Sequence, residues 1–448
     1  MKSLNLPDLP REGDALVVND TKVMPAHARA IQVRRVAAAS LVGTTIEWYD
    51  FLVYATMAGM IFNRYFFPEG DLFVNTLLAY GTFAAGFLMR PLGGVLFGHF
   101  GDRLGRKPLL ILALMIMGVA TFIIGLLPTY EQIGLWAPLL LLTLRLVQGT
   151  ALGGEWGGAV LMSYEFARPQ ERTYYACFPQ IGLAIGLCCS TGVVSFLSSV
   201  LSERAFVSWG WRVAFMLSIV LVAVGLFIRV RVLETPEFAY SQAHDEVVRT
   251  PILELVRAYP GNVLLGAGAR LIEGIVFTIY VIFPLTELAN VAKIPKTNVL
   301  ATITLAAFIL IFTIPFASWL ADRTSRKKLF VIFSLVNGFA AFPAFWLIRH
   351  SGSALIASAC VVIALGVLWA PVFGPLAAIF CDLFDTRVRY SGVSLIYAIG
   401  WILTVPLTPL VVTAIHQADN SGPWVLGGYV CGVGIISAVC VAAMKRVP

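Results

Sequence analysis

Twelve apolar runs separated by short polar segments leave this chain few folds to choose from. They cover residues 36–63, 73–98, 108–127, 137–166, 173–200 and 211–230, then 261–289, 298–320, 329–349, 354–384, 390–416 and 424–444. A helix needs ~20 apolar residues to cross the hydrocarbon core of a bilayer, and each run reaches that length. Lipid offers the backbone no hydrogen-bond partner, so segments of this length and composition must be helical. Charge content agrees: Asp, Glu, Lys and Arg make up 13% of the 448 residues, against ~25% in a soluble domain. A hydrophobic fraction of 58% also excludes disorder, and 39 glycines without a three-residue period exclude collagen. The expected fold is therefore all-α and integral to a membrane, with 12 transmembrane helices.

The net charge of +7 does not point to nucleic acid, because the basic residues sit in short clusters between the runs. With the N-terminus inside, 23 of the 32 basic residues fall in the tail and the inside loops. The outside segments receive six (Arg64, Arg204, Arg212, Lys293, Lys296 and Arg349), and Arg90, Arg145 and Arg270 lie within runs. That bias is the positive-inside pattern of an even number of spans with both termini cytoplasmic. The expected organisation is a cytoplasmic tail (1–35), a six-helix bundle (36–230), a cytoplasmic central loop (231–260), a second six-helix bundle (261–444) and a short cytoplasmic end (445–448). The central loop holds Glu234, Glu237, His244, Asp245, Glu246, Arg249 and Arg257. The first apolar run begins only at Val36, so no cleavable signal is expected. Seven cysteines lack paired metal spacing and read as inert buried thiols. His99, His350 and His416 are isolated at predicted helix ends. With no P-loop, no HExxH and no Cys/His cluster, neither an enzyme nor a metal or other cofactor is expected.

The chain repeats itself. GHFGDRLGRK at 98–107 returns 220 residues later as SWLADRTSRK at 318–327, so Asp102, Arg103, Arg106 and Lys107 map onto Asp322, Arg323, Arg326 and Lys327. The same offset sets Glu165 opposite Asp385 and Asp50 opposite Arg270. Two six-helix halves in parallel repeat describe a transporter with its site between the halves near the midplane. Ser318 and Ser325 replace Gly98 and Gly105 in the second copy, and a looser second turn is expected from that change.

The GxxxDRxGRK-type loop and its weaker copy resemble the major facilitator superfamily. GTTIEWYDFLVYAT (43–56), FLMRPLGGVLFGHFGDRLGRKP (87–108), RLVQGTALGGEWGGAVLMSYE (145–165) and DTRVRYSGVS (385–394) resemble its metabolite:proton symporter branch. That branch carries proline and betaine, oxoglutarate, citrate or shikimate. NRYFFP (63–68), SWGWRVAFMLSIVLV (208–222) and TIPFASWLADR (313–323) most resemble its shikimate-carrying members. The resemblance implies a monomeric, proton-coupled symporter of the bacterial inner membrane that imports a small organic acid by alternating access. A shikimate-like, hydroxylated or aromatic carboxylate is expected first. The alternatives are a zwitterionic osmolyte, a di- or tricarboxylate, or a transporter-derived sensor. It also implies that the Asp102 loop stabilises the outward-facing state. The proline-bearing signature of antiporter relatives is not evident in PQIGLAIGLCCS (179–190), which favours symport.

Ionisable groups at membrane depth are costly and usually functional. Glu47 and Asp50 share a face of the first span at i and i+3, with Tyr54 a turn further on. Two carboxylates so placed disfavour joint ionisation, which suits proton carriage; the alternative is a salt-bridge network that only packs helices. Arg270 and Glu273 share a face of the seventh span. Arg270 offers a bidentate fork for a substrate carboxylate; alternatively it pairs with Glu273 or neutralises Asp50 across the halves. On the fourth span Arg145, Gln148, Leu152 and Glu155 form one stripe, while Gly149, Gly153 and Gly157 form a face for close helix contact. Arg145 and Gln148 are candidates for a cavity, and Arg90 with Glu155 for a gating pair. Trp48, Trp156, Trp369 and Trp401 either line a cavity for a ring or pack the helices.

Overall fold

The computed structural model describes residues 26–231, 251–281, 296–405 and 424–445, with short pieces at 18–19, 22–23, 407–408, 411–412 and 415. Lys2, Arg11, most of the central loop (232–250, with Glu234, Glu237, His244, Asp245, Glu246 and Arg249), Lys293, His416 and Arg446 lie outside the described residues. Twelve helical passes are present among the described residues. In the first half they are α1 (Ala26–Met57), α2 (Leu72–Leu88, resuming as Arg90–Leu104), α3 (Arg106–Leu126), α4 (Trp136–Phe166), α5 (Phe178–Val200) and α6 (Trp211–Val230). In the second half they are α7 (Pro260–Val281), α8 (Lys296–Arg323), α9 (Arg326–His350), α10 (Ala354–Ile363, resuming as Ala370–Cys381), α11 (Arg389–Thr404) and α12 (Trp424–Ala443). A two-residue ladder pairs Val18–Asn19 with Lys22–Val23.

The apolar runs locate the helices, and polar chemistry moves their ends. The first helix starts ten residues before the apolar run, at Ala26, because Arg34 and Arg35 ride its exposed side while Val33, Val36 and Ala37 face inward. The second pass breaks at Met89, where Pro91 enters the next piece within its first turn; proline lacks the N–H that a continuous helix requires. Ser353 accepts from Ile356 N at 3.5 Å and so begins α10. Nine helical segments are long and apolar enough to span a membrane by length and composition alone among the described residues. The other three passes are α1, which carries five charged residues (Arg29, Arg34, Arg35, Glu47 and Asp50), the interrupted α2, and the 16-residue α11.

Packing reproduces the sequence repeat. In the first half α1 lies on α5, α2 on α4 and α3 on α6; in the second α7 lies on α11, α8 on α10 and α9 on α12. The two largest helix contacts between the halves are equivalent, α2 with α11 and α5 with α8. The α2–α4 crossing is backbone on backbone. A Cβ at Gly153 would come within 2.0 Å of the Arg90 carbonyl oxygen and 2.5 Å of Gly94 N. The glycine face read from the sequence is thus a packing surface, as small residues usually are between membrane helices.

The two signature turns differ. Gly105 has φ 101° and joins α2 to α3 in a conformation only glycine adopts readily. Ser325 has an ordinary extended φ of −156°, and its hydroxyl accepts from Lys328 N at 3.4 Å. The serine therefore caps α9, and the expectation of a looser second turn is corrected.

Gly153→Ala is expected to push α2 from α4 and destabilise the protein by about 1–3 kcal/mol, the usual cost of overpacking. Gly192→Ala, with nothing within 4 Å of the added carbon, is the control. Thermal unfolding in detergent, followed by size-exclusion chromatography, measures the difference.

Candidate functional site

One face of α1 carries most of the first half's polar chemistry. Positions 40, 43, 47, 50 and 54 recur at three and four residues and so align. Ser40 Oγ donates to the Ala159 carbonyl at 3.1 Å and accepts from Ser163 Oγ, also at 3.1 Å. Gly43 leaves room for the Arg229–Glu155 pair, whose Nη2–Oε1 distance is 2.5 Å. Glu47 faces Arg90 at 3.9 Å. Asp50 Oδ2 accepts from Thr121 Oγ1 at 2.8 Å, and Tyr54 OH lies 2.7 Å from Thr82 Oγ1.

From Asp50 a hydrogen-bonded chain crosses to α4. Gln148 Nε2 donates to Thr121 Oγ1 at 2.6 Å, and Arg145 Nη1 donates to Gln148 Oε1 at 3.0 Å. The Arg145 guanidinium also lies over the Tyr54 ring, 3.8 Å from its centroid. Thus Asp50, Gln148, Arg145 and Tyr54 do meet, with Thr121 as a junction that sequence reading missed. Glu47 and Asp50 share a face but serve different partners.

The second half contributes Arg270 and Glu273, which form an ion pair on α7. Arg270 lies over Tyr397 at 4.4 Å and Trp401 at 5.4 Å, both from α11. Arg90, from the other half, lies 4.9 Å from that same Trp401 ring and 4.7 Å from Phe87. Two arginines from opposite halves therefore flank one indole, each held by a carboxylate of its own half. Trp48 approaches Trp401 at 5.6 Å and Phe277 at 5.7 Å, Trp156 stacks on Tyr397 at 3.7 Å, and Trp369 Nε1 donates to the Glu273 carbonyl at 2.9 Å. All four tryptophans are buried. Glu47 Oε2, Asp50 Oδ1 and Trp401 Nε1 are buried without a hydrogen-bond partner.

One expected pairing is corrected. Arg90 takes Glu47 and not Glu155, while Glu155 takes Arg229, which sequence reading had counted among the loop cations. Arg229 is buried in the last turn of α6, donating also to the Leu110 carbonyl at 2.6 Å. Asp50 is bonded to Thr121, and Arg270 to Glu273, so the cross-half Asp50–Arg270 pair is not formed.

The signature loops build two equivalent clasps between the halves. Asp102 accepts from Tyr390 N at 3.2 Å, Ser391 N at 2.9 Å and Ser391 Oγ at 2.8 Å, capping α11. Asp322 accepts from Thr173 N at 3.1 Å and Tyr174 N at 2.8 Å, capping the short helix Arg172–Ala176 before α5. A carboxylate at a helix N-terminus meets both free N–H groups and the positive end of the helix dipole. Arg106 lies 3.9 Å from Asp102 and 3.5 Å from Glu165; Arg326 lies 3.2 Å from Asp322 and 3.1 Å from Asp382. The structural counterpart of Glu165 is therefore Asp382. Asp385, three residues on, pairs at 3.5 Å with the exposed Arg387. Lys107 donates to the Val230 carbonyl at 2.9 Å, and Lys327 to that of Met444, so each loop also closes the last helix of its own half. Arg103 and Arg323 point outward, towards His99 and Trp319. They stand apart from the clasps.

Fold and site together define a two-half membrane transporter, not an enzyme. The chain belongs to the Major Facilitator Superfamily, whose family model matches residues 52–405. It is 37% identical over 416 residues to the shikimate transporter of Escherichia coli K12, covering 92% of this chain and 95% of that one. It is 38% identical over 409 residues to the inner membrane metabolite transport protein YhjE of the same organism, covering 90% and 92%. Its fold matches the proton:xylose symporter XylE bound to 6-bromo-6-deoxy-D-glucose with a TM-score of 0.76, at 14% identity over 92% of this chain and 95% of that one.

Asp102→Asn turns one acceptor oxygen into a donor facing backbone N–H groups. Because hydrogen bonds to a charged group contribute about 1.5–3 kcal/mol, the clasp should open in a population about tenfold larger or more. Electron–electron distance measurements between spin labels at Arg103 and Arg387 would show a longer component in this variant and in Asp322→Asn.

Proposed function

We propose that this protein is a proton-coupled symporter that imports a small organic acid by alternating access, acting as a monomer in a bacterial inner membrane. The supporting observation is the pair Arg90 and Arg270, one from each half, flanking Trp401 and each held by a protonatable carboxylate. Protonating Glu47 or Glu273 releases its guanidinium, and the freed fork takes the substrate carboxylate with two parallel hydrogen bonds. One proton and one carboxylate then enter as a neutral load, which lowers the charge cost of exchanging access between the two faces. Asp50, tied through Thr121 and Gln148 to Arg145, is the third proton site.

The relative named a shikimate transporter, together with the indole and phenyl faces of Trp48, Trp401 and Phe277, favours a hydroxylated or aromatic ring carboxylate. The same rings favour a second reading, in which they hold the quaternary ammonium of a betaine by cation–π attraction. Residues 36–230 and 261–444 serve as the two moving bundles, joined by the 231–260 segment. Clustering of basic residues on the Asp102 and Asp322 face supports a cytoplasmic position for that face, together with the 1–35 tail and residues 445–448. The clasps then close the cytoplasmic side and favour outward-facing access.

Reconstituted protein should accumulate labelled shikimate only with an inward proton gradient. Uptake indifferent to the gradient rejects symport, and gradient-driven uptake of betaine in place of shikimate selects the second reading. Arg270→Lys keeps the charge but loses the fork, so uptake should fall about tenfold, matching the loss of one charge-assisted hydrogen bond. Unchanged coupling in both Glu47→Gln and Asp50→Asn would remove these two carboxylates from the proton path.

A further inference from the structure

The polar face of α1 continues past the central site towards the Asp102 face, and the substrate site has no use for that continuation. One turn from Glu47, the missing side chain of Gly43 admits the Arg229 guanidinium and Glu155 carboxylate; a Cβ there would lie 1.9 Å from Arg229 Nη2 and 3.0 Å from Glu155 Oε1. Beyond them Ser40, Lys107 and Arg229, with Val36, Ala39 and Met162, line a cavity of about 10 Å³, the scale of one water molecule. Glu155 is fully buried, and its second oxygen has no hydrogen-bond partner. Arg229 from α6 pairs with it, and the other titratable groups that interact with its charge are Glu47 and Asp50 from α1 and Tyr390 from α11, whose hydroxyl donates to the Gly154 carbonyl at 2.9 Å.

We propose that Glu155 is a proton relay, and that the proton leaves through the first half along α1 while the substrate leaves between the halves. This rests on the symport reading above. The proton passes from the carboxyl of Glu47 to Glu155 Oε2, leaving Glu47 anionic and free to pair again with Arg90. It then passes from Glu155 to water at the Ser40 and Lys107 cavity, restoring the Glu155 anion. Arg229 tolerates both states: its Nη1 keeps the Leu110 carbonyl at 2.6 Å whether or not Glu155 carries charge. Its fixed positive charge also drives the proton onward from Glu155. No step of this route crosses the α2–α11 or α5–α8 contacts, so once the clasps part the proton and the substrate leave by separate paths.

The test compares two assays in vesicles holding the dye pyranine. One reads proton entry and uptake of labelled shikimate under an inward proton gradient. The other reads exchange of labelled for unlabelled shikimate at equal pH, which requires no net proton release. Glu155→Gln should lower gradient-driven uptake and proton entry by about a hundredfold, the scale of a lost proton-transfer group, with exchange kept within about twofold of wild type. Glu155→Asp should restore much of the uptake. Glu155→Gln combined with Arg229→Gln removes both charges, leaves no unpaired guanidinium and decides the matter if the single variant does not fold. Wild-type coupling in either Gln variant, or equal loss of uptake and exchange in the folded double variant, overturns the relay. A wild-type protein whose shikimate uptake ignores the gradient overturns the symport reading, and the relay with it.

Discussion

A charge inside a bilayer must bring its counter-charge with it, and that constraint organises this structure from the centre outward. Arg90, Arg145, Arg229 and Arg270 are all buried. Three of them meet a carboxylate, and Arg145 reaches Asp50 through two neutral side chains and packs on Tyr54. Leaving any of them alone in a low-dielectric interior would cost several kcal/mol. The helices are therefore rotated so that their rare polar residues face one another, and the apolar remainder faces lipid. Exposed Leu, Val and Phe along α2, α6 and α8 belong to that outer surface.

At the loop face the same constraint is met differently. Here the partners of the carboxylates are helix ends as well as arginines. Asp102 and Asp322 each cap a helix that belongs to the opposite half. The clasp therefore depends on backbone N–H groups that are present for any sequence, and on one carboxylate in each loop that is not replaceable. Arg106 and Arg326 brace those carboxylates and reach the ends of α4 and α10 through Glu165 and Asp382.

The helices and the repeat were legible in the sequence because lipid forbids alternatives: a long apolar run has one way to satisfy its backbone. Membrane-depth ionisable residues were equally legible, since each stands out against apolar neighbours. Their pairings were not. Which carboxylate meets Arg90 depends on how α1, α2 and α4 are rotated about their axes, and Glu47 and Glu155 were equally plausible by depth. Arg229 sits two residues before Arg231 at the end of a run, so its burial in α6 had no sequence mark. Thr121 resembled threonines such as Thr45 and Thr56, which bond the preceding turn of their own helix. The fixed offset of 220 led to Asp385, while the chain places Asp382 at the equivalent position, a shift of less than one helical turn.

The two lysines that follow the signature arginines have a mechanical consequence. Lys107 holds the end of α6 and Lys327 holds the end of α12, so each loop is anchored to the first and last parts of its own bundle. A loop fastened in this way cannot trail behind when the bundles separate; it travels with its bundle as a finished jaw. Parting the halves then breaks only the bonds that cross between them, and reclosure needs alignment, with no loop left to refold.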